Sequence, residues 1–440
     1  MPGLLFILFT SWLLCNSRGL YKPYVLFSFI FFLVWVWSAI KTKNTLKTST
    51  HLGLFTAAFA LLHFFSIKLI YPENLVLLHF HQIGQWLSSL GALMLVGVYS
   101  LKKPKLQKEV IPKILFFILC GLLILLQIST VLISPHPSID VMHSNSIAVR
   151  VFLTGHNPYS AVYPDIYQGA YGYSPGFVYF PGILFWLAPF EILFHDIRFG
   201  LVAANALTTL ALYKIARKRF SISDSRYWVL IFLLFPMQDF VIEQSWIDPI
   251  LLMAIAWGVH FFDVEKWIFS GIAFGLAAST KQYGLIVPLY LLLAQARTKK
   301  TSYSWIAAIA LFTLLILAPF AFADWSAFFT QTIQKHTGAA IRFDALSLLA
   351  FIKHELGFSP SMCLSLAFTA LGFIGSLLWL LMKKPTQLLK TAGLMSCFTY
   401  GMSFYFGKFA FCNYYFFLCS LVLITLILSG ISPQPNPSPS

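Results

Sequence analysis

The sequence predicts an all-α polytopic integral membrane protein. It is expected to have about 14 transmembrane helices, with interfacial or re-entrant helices in the first large outer loop. Three observations carry this. Of the 440 residues, 58% are hydrophobic and only 10% charged, a balance that a water-exposed surface does not tolerate. Apolar runs long enough to cross roughly 30 Å of hydrocarbon recur from end to end, among them 114–134, 307–323 and 409–430. Lys and Arg collect in short clusters between the runs: Lys41, Lys43 and Lys47; Lys102, Lys103, Lys105 and Lys108; Lys214, Arg217, Lys218 and Arg219; Arg297, Lys299 and Lys300; Lys383, Lys384 and Lys390. Helices are the default because a segment in lipid must satisfy its own backbone hydrogen bonds.

The net charge of +15 therefore reads as the positive-inside pattern, and no nucleic-acid partner is expected. The 45 Phe, 19 Tyr and 12 Trp suit lipid-facing surfaces and interfacial belts. All six cysteines lie in apolar stretches without metal-ligand spacing and read as small hydrophobes. The first apolar run follows no basic segment, so an uncleaved first helix is expected.

If the basic clusters share one side, the chain between successive clusters must cross an even number of times. That rule predicts helices near 4–16, 24–40, 51–71, 83–100 and 114–134, leaving 135–175 outside as the longest hydrophilic loop. Of the next two runs, 177–194 contains Pro181, Gly182 and Pro189, so it is expected to be re-entrant or interfacial while 197–213 crosses. Further helices follow near 227–246 and 249–263. Two short crossings share 267–296 and turn near Lys281, and the last four helices fall near 303–323, 360–382, 391–407 and 409–430. Both ends are expected inside, and the Pro/Ser-rich tail 431–440 reads as disordered. No fixed-period repeat supports an inverted-repeat transporter.

This topology sends most ionisable residues near the membrane to the outer side: Asp140, Arg150, His156, Asp165, the acids within 239–248, Lys281, Asp324, Lys335, His336, Arg342, Asp344 and Lys408. Such residues are functional candidates by default. Ser138 as N-cap and Gly155 as stop frame a helix with Asp140 in its first turn, where the acid either complements the dipole or does chemistry. The aromatic, Pro/Gly-broken stretch 171–181 is either an interfacial anchor or the floor of a site. Asp239 and Glu243 share a helix face at i, i+4 and could orient a sugar or hold a cation, whereas Asp248 before Pro249 also reads as an N-cap. Lys281, between two apolar helices, either snorkels or pairs with a phosphate at headgroup depth.

In order, the chain has Asp140, Gly155-His-Asn-Pro-Tyr159, Tyr173-Ser-Pro175, Glu243-Gln244 and a small-residue helix ending in Lys, Gly271-Ile-Ala-Phe-Gly-Leu-Ala-Ala-Ser-Thr-Lys281. This series resembles the GT-C glycosyltransferases that use polyprenyl-phosphate sugars, and within them the polyprenol-phosphate-mannose-dependent α-mannosyltransferases of the GT87 type. The resemblance covers 135–295, roughly a third of the chain. It departs at Ser174, where a second Pro is usual, and in having five helices before Asp140 instead of one.

The resemblance implies a glycosyltransferase membrane domain over 114–430, preceded by membrane helices of unassigned role over 1–113. It implies inverting transfer of a mannose-like hexose from a polyprenyl-phosphate carrier to a glycan, glycolipid or protein acceptor. The transfer would occur on the non-cytoplasmic face of an inner or plasma membrane. Asp140 would be the base, and Lys281 and Arg342, with His336 or Lys408, would stabilise the phosphate. Arg150, His156, Asn157, Tyr159, Tyr173, Glu243, Gln244 and Asp248 complete the implied substrate-binding set. No Asp-x-Asp pair stands near Asp140, so no cofactor and no obligatory divalent metal are expected. A transporter or flippase of a lipid-linked sugar is the rival reading. It would place polar residues at mid-membrane and on both sides, whereas here they gather at one mouth. A non-catalytic assembly subunit would need no clustered acids.

Overall fold

Apolar runs bounded by Pro, Gly and charge form helices throughout the protein, because each turn closes its own backbone bonds where lipid offers none. The computed structural model describes residues 1–41, 49–100, 110–170, 174–298, 302–358, 360–382, 385 and 387–430, with no strand among them. Five helices precede the long loop: α1 (Pro2–Ser17), α2 (Ser28–Lys41), α3 (Ser49–Phe64), α4 (Leu75–Ser100) and α5 (Val110–Ile133). The loop holds α6 (Asp140–Leu153) and leads to α7 (Gly182–Phe194) and α8 (Arg198–Arg217). Next come α9 (Ile222–Leu233), α10 (Gln238–Glu243), α11 (Asp248–Asp263), α12 (Trp267–Ala278), α13 (Ile286–Thr298) and α14 (Tyr303–Ala323). Three short helices, α15 (Trp325–Phe329), α16 (Lys335–Gly338) and α17 (Leu348–Glu355), precede α18 (Met362–Met382), α19 (Leu388–Tyr405) and α20 (Cys412–Leu428).

Among the described residues, six helices are long and apolar enough to cross a membrane: 23–41, 75–100, 110–133, 198–217, 303–323 and 363–382. Six more apolar helices are shorter, including α1, α7, α12, α13 and α20. Lys43, Lys47, Lys102, Lys103, Lys105, Lys108, Lys299, Lys300, Lys383, Lys384 and the tail 431–440 lie outside the described residues.

Several boundaries differ from expectation for identifiable reasons. Helix α3 stops at Phe64 instead of running to 71, and 65–74 forms a loop. Asn74 Oδ1 accepts the Leu77 N–H at 3.0 Å, starting α4 eight residues before the expected 83. The single helix expected over 227–246 breaks into α9 and α10 at Pro236, which lacks an N–H and clashes with the preceding turn. Ser138 does not cap α6. The N-cap is Ile139 in extended conformation, and the Ser138 carbonyl instead accepts the Tyr71 hydroxyl at 3.0 Å. Gly155 ends that helix at φ 79°, as expected.

The helix ends sort into two groups. At one end Arg219 makes a two-armed pair with Asp263 (2.8 and 2.7 Å), and Arg297 reaches the Leu381 carbonyl at 3.0 Å. At the other, Arg198 donates to the Ser134 carbonyl at 2.7 Å, and the Gly182 N–H donates to the Ser279 carbonyl at 2.7 Å. Helix α7 starts beside Ser279 and leads into Arg198, so it begins and ends at this second end.

Helices α1–α4 share one hydrophobic core with α8–α13, α19 and α20. Helix α20, apolar on every side, is enclosed by the others, whereas α14 turns Leu311, Leu315 and Phe322 outward at 67%, 70% and 90% exposure. Both patterns follow from all-round hydrophobicity: one helix is covered by protein, the other is left for lipid.

Candidate active site

The end that holds Ser134, Asp140 and Ser279 encloses a cavity of about 520 Å³. One wall comes from the early helices: Gly19 to Tyr21 after α1, Ile70 and Tyr71 in the 65–74 loop, and Ile139 to Val141 with Tyr167 in the long loop. The floor is Phe240, Gln244 and Trp246 around α10. Lys281, Lys335, His336, Arg342 and Asp344 line the cavity as well, together with Phe411, Asn413 and Tyr414.

Asp140 is the first residue of α6 and is half-buried. Its Oδ1 accepts the Val141 N–H at 2.8 Å, and its own N–H donates to the Tyr167 hydroxyl at 3.4 Å. A carboxylate there is favoured by the helix dipole.

Lys281 follows α12 and is 3% exposed. Its Nζ donates to both oxygens of Asp248 at 2.9 and 3.0 Å, and to the Tyr283 hydroxyl at 3.0 Å. The rings of Tyr179, Tyr283 and Tyr414 stand 5.5, 5.3 and 5.2 Å from it. Burial pushes the ammonium below the ordinary lysine range, and the Asp248 carboxylate works against that.

Arg342 grips Asp344 through Nε and Nη2, both at 2.7 Å, and lies 5.2 Å from the Phe411 ring. Lys335 donates to the Pro175 carbonyl at 2.6 Å, and His336 Nε2 stands 3.3 Å from the Val178 carbonyl. Burial lowers Lys335, and it lowers His336 against the opposing pull of the Val178 carbonyl.

Seven of the residues singled out in sequence thus line one cavity: Asp140, Gln244, Lys281, Lys335, His336, Arg342 and Asp344. Lys408 stands behind it, donating to the carbonyls of Ala339 and Thr337 at 2.8 and 3.2 Å.

Asp248 is not the N-cap, which is Ile247. It is fully buried behind Lys281, and Tyr283 and Asn413 also donate to its carboxylate. Glu243 does not line the cavity either; its oxygens take the N–H groups of Ile70 and Tyr71, both at 2.8 Å. Asp239, on the same short helix, meets His81 at 3.4 Å. Arg150 pairs with Glu191 at 2.6 Å, and His156 is exposed beside Thr154. Asn157 caps the turn at Tyr159, whose buried hydroxyl donates to the Tyr179 carbonyl at 2.8 Å. These four residues do not line the cavity. Tyr173 lies outside the described residues.

Tyr71 and Asn413 line the cavity although they were not among the expected site residues. Asn413 did carry a signal, a lone amide near the start of an otherwise apolar run. Among the described residues no group of three His, Cys, Asp or Glu side chains is placed to hold a metal ion.

The cavity therefore combines a carboxylate, a bank of cations and several aromatic faces, a set suited to a sugar joined to an anion. No curated protein and no solved structure matches the chain significantly. The profile of glycosyltransferase family 87 matches residues 177–406, more than half of the chain, and the protein belongs to that family as a membrane glycosyltransferase.

Proposed function

We propose that the protein transfers a mannose-like hexose from a polyprenyl phosphate to an acceptor hydroxyl, with inversion, in the cavity beside Asp140. The observation that carries this reading is that the Asp140 carboxylate lines the same cavity as Lys281, Lys335, His336 and Arg342. Asp140 takes the proton of the acceptor hydroxyl as its oxygen attacks the anomeric carbon. The new oxygen–carbon bond forms as the bond from carbon to the phosphate oxygen breaks. The phosphate leaves with the electron pair, and the cations that line the cavity with Asp140 stabilise the added charge.

The family profile begins at Phe177, so the role of Asp140 rests on its place in the cavity. In this reading the chain crosses the membrane about fourteen times while α7 lies along the surface. The basic end faces the cytoplasm and the cavity faces outward. The chain's own side chains suffice, and EDTA is expected to leave transfer unchanged.

The test is Asp140→Asn in membranes supplied with a radiolabelled polyprenyl-phosphate hexose. Loss of a positioned base is expected to slow transfer about a thousandfold. Full activity in the mutant removes Asp140 as the base, and a cysteine at 140 that labels only from the cytoplasm overturns the orientation.

A further inference from the structure

The early helices, which the family profile does not cover, build the wall that adjoins Asp140. We infer that the 65–74 loop and the turn after α1 form the acceptor side of the cavity, with Tyr71 as a specificity-determining residue and Glu243 as the positioning residue that holds it. This rests on the transferase reading above.

Glu243 is fully buried, and its two oxygens accept four hydrogen bonds. Besides the Ile70 and Tyr71 N–H groups, these come from the Ser134 hydroxyl at 2.9 Å and the Gln244 amide at 3.1 Å. A buried carboxylate so occupied has no capacity left for a sugar; what it does is fix the backbone at 70–71. The loop is pinned on both sides of that clamp. The Ile67 N–H donates to the Pro236 carbonyl at 3.2 Å, and the Glu73 and Asn74 N–H groups donate to the Ile133 carbonyl at 2.8 and 3.1 Å. A segment without helix is therefore held still by α5 and α10, and it offers Ile70 and Tyr71 to the cavity.

Position and charge assign the wall to the acceptor. The Tyr71 hydroxyl donates to the Ser138 carbonyl, two residues before Asp140, so the ring adjoins the start of α6. Tyr21 joins it because α1 ends in a left-handed turn. Gly19, at φ 72°, lies so close to the Phe240 ring that a Cβ would sit 2.5 Å from it.

The cavity residues of these two segments, Gly19, Leu20, Tyr21, Ile70 and Tyr71, carry no charge, while the cations all come from residue 281 onward. An anionic leaving group belongs with the cations. A neutral wall of tyrosine rings with polar tips, next to the base, fits the apolar face and hydroxyls of a neutral glycoside.

The experiment uses the purified full-length chain in detergent, with two probes. Undecaprenyl phosphate binding reads the donor side. Transfer from undecaprenyl-phosphate mannose to neutral n-octyl glycosides (mannoside, glucoside and galactoside) reads the acceptor side. Tyr71→Leu is expected to raise the KM for the octyl glycoside about tenfold, while kcat and undecaprenyl phosphate affinity stay within about twofold. Glu243→Gln is expected to reproduce that split, because it turns an acceptor towards the Ile70 or Tyr71 N–H into a donor. Tyr21→Leu, on a separate segment, supplies the same readout if Tyr71→Leu does not fold.

A roughly tenfold loss of undecaprenyl phosphate affinity with an unchanged octyl-glycoside KM overturns the assignment. So does a wild type that binds undecaprenyl phosphate but uses no neutral glycoside. A wild type that does not bind undecaprenyl phosphate overturns the transferase reading itself.

Discussion

The two walls of the cavity hold their charges in opposite ways. On the wall contributed by the family region, Lys281 is buried against Asp248, Arg342 is gripped by Asp344, and Lys335 is tethered to the Pro175 carbonyl. In the same cavity Asp140 is half-buried at the start of a helix, with the Val141 N–H on one oxygen. A cation that must stay charged in a low-dielectric site needs a counter-ion and fixed geometry. The difference between the walls is thus that one holds its cations against fixed partners, while the other brings a carboxylate to the first turn of a helix.

Breaking the clamp should have the largest effect. Asp248→Ala leaves Lys281 charged, buried and without its partner, and should destabilise the protein by about 3–5 kcal/mol in thermal melts. Asp248→Ala combined with Lys281→Met removes both charges and should recover most of that loss. If the single mutant melts with the wild type, the clamp is not structural.

Arg342→Gln sharpens the contrast at the next level. Its site loses a planar cation but keeps the fold, so undecaprenyl phosphate binding should weaken about tenfold, with a shallower dependence on salt. An Arg342→Lys variant should recover only part of it, because a point charge does not replace the two-armed grip on Asp344.

The smallest effect expected is on acid sensitivity. Burial holds His336 below its ordinary value, so the neutral ring is the form the fold prefers. Its contribution is fully present above about pH 6.5 and falls away as protons bind below it. The melting temperature should therefore drop between about pH 7 and pH 5, and His336→Gln should make that drop smaller. An unchanged drop would mean that other groups set the acid limit.

Much of this was readable in the chain before folding. The apolar runs located most helices because hydropathy is a local property, and Pro181 and Gly182 mark the start of α7 for equally local reasons. Boundaries went astray at Pro236 and in 65–74, where an apolar run continues through a break in the helix. The acids were harder. Asp140, Asp239, Glu243 and Asp248 look alike in sequence, yet only Asp140 lines the cavity. The partners that set the others apart are distant: Glu243 meets Tyr71 from 172 residues away, and Asp248 meets Asn413 from 165.

The sequence by itself determined that this is a helical membrane protein, and its motif order pointed to the family. Composition and short-range spacing suffice for that, because lipid imposes the same demand on every segment. Only the tertiary structure decided which polar groups are spent on one another and which face the cavity, and it brought α1 and the 65–74 loop to Asp140. Those outcomes depend on packing between segments far apart in the chain, where one buried carboxylate can serve a backbone, a lysine or a substrate, and its own neighbours in sequence do not say which.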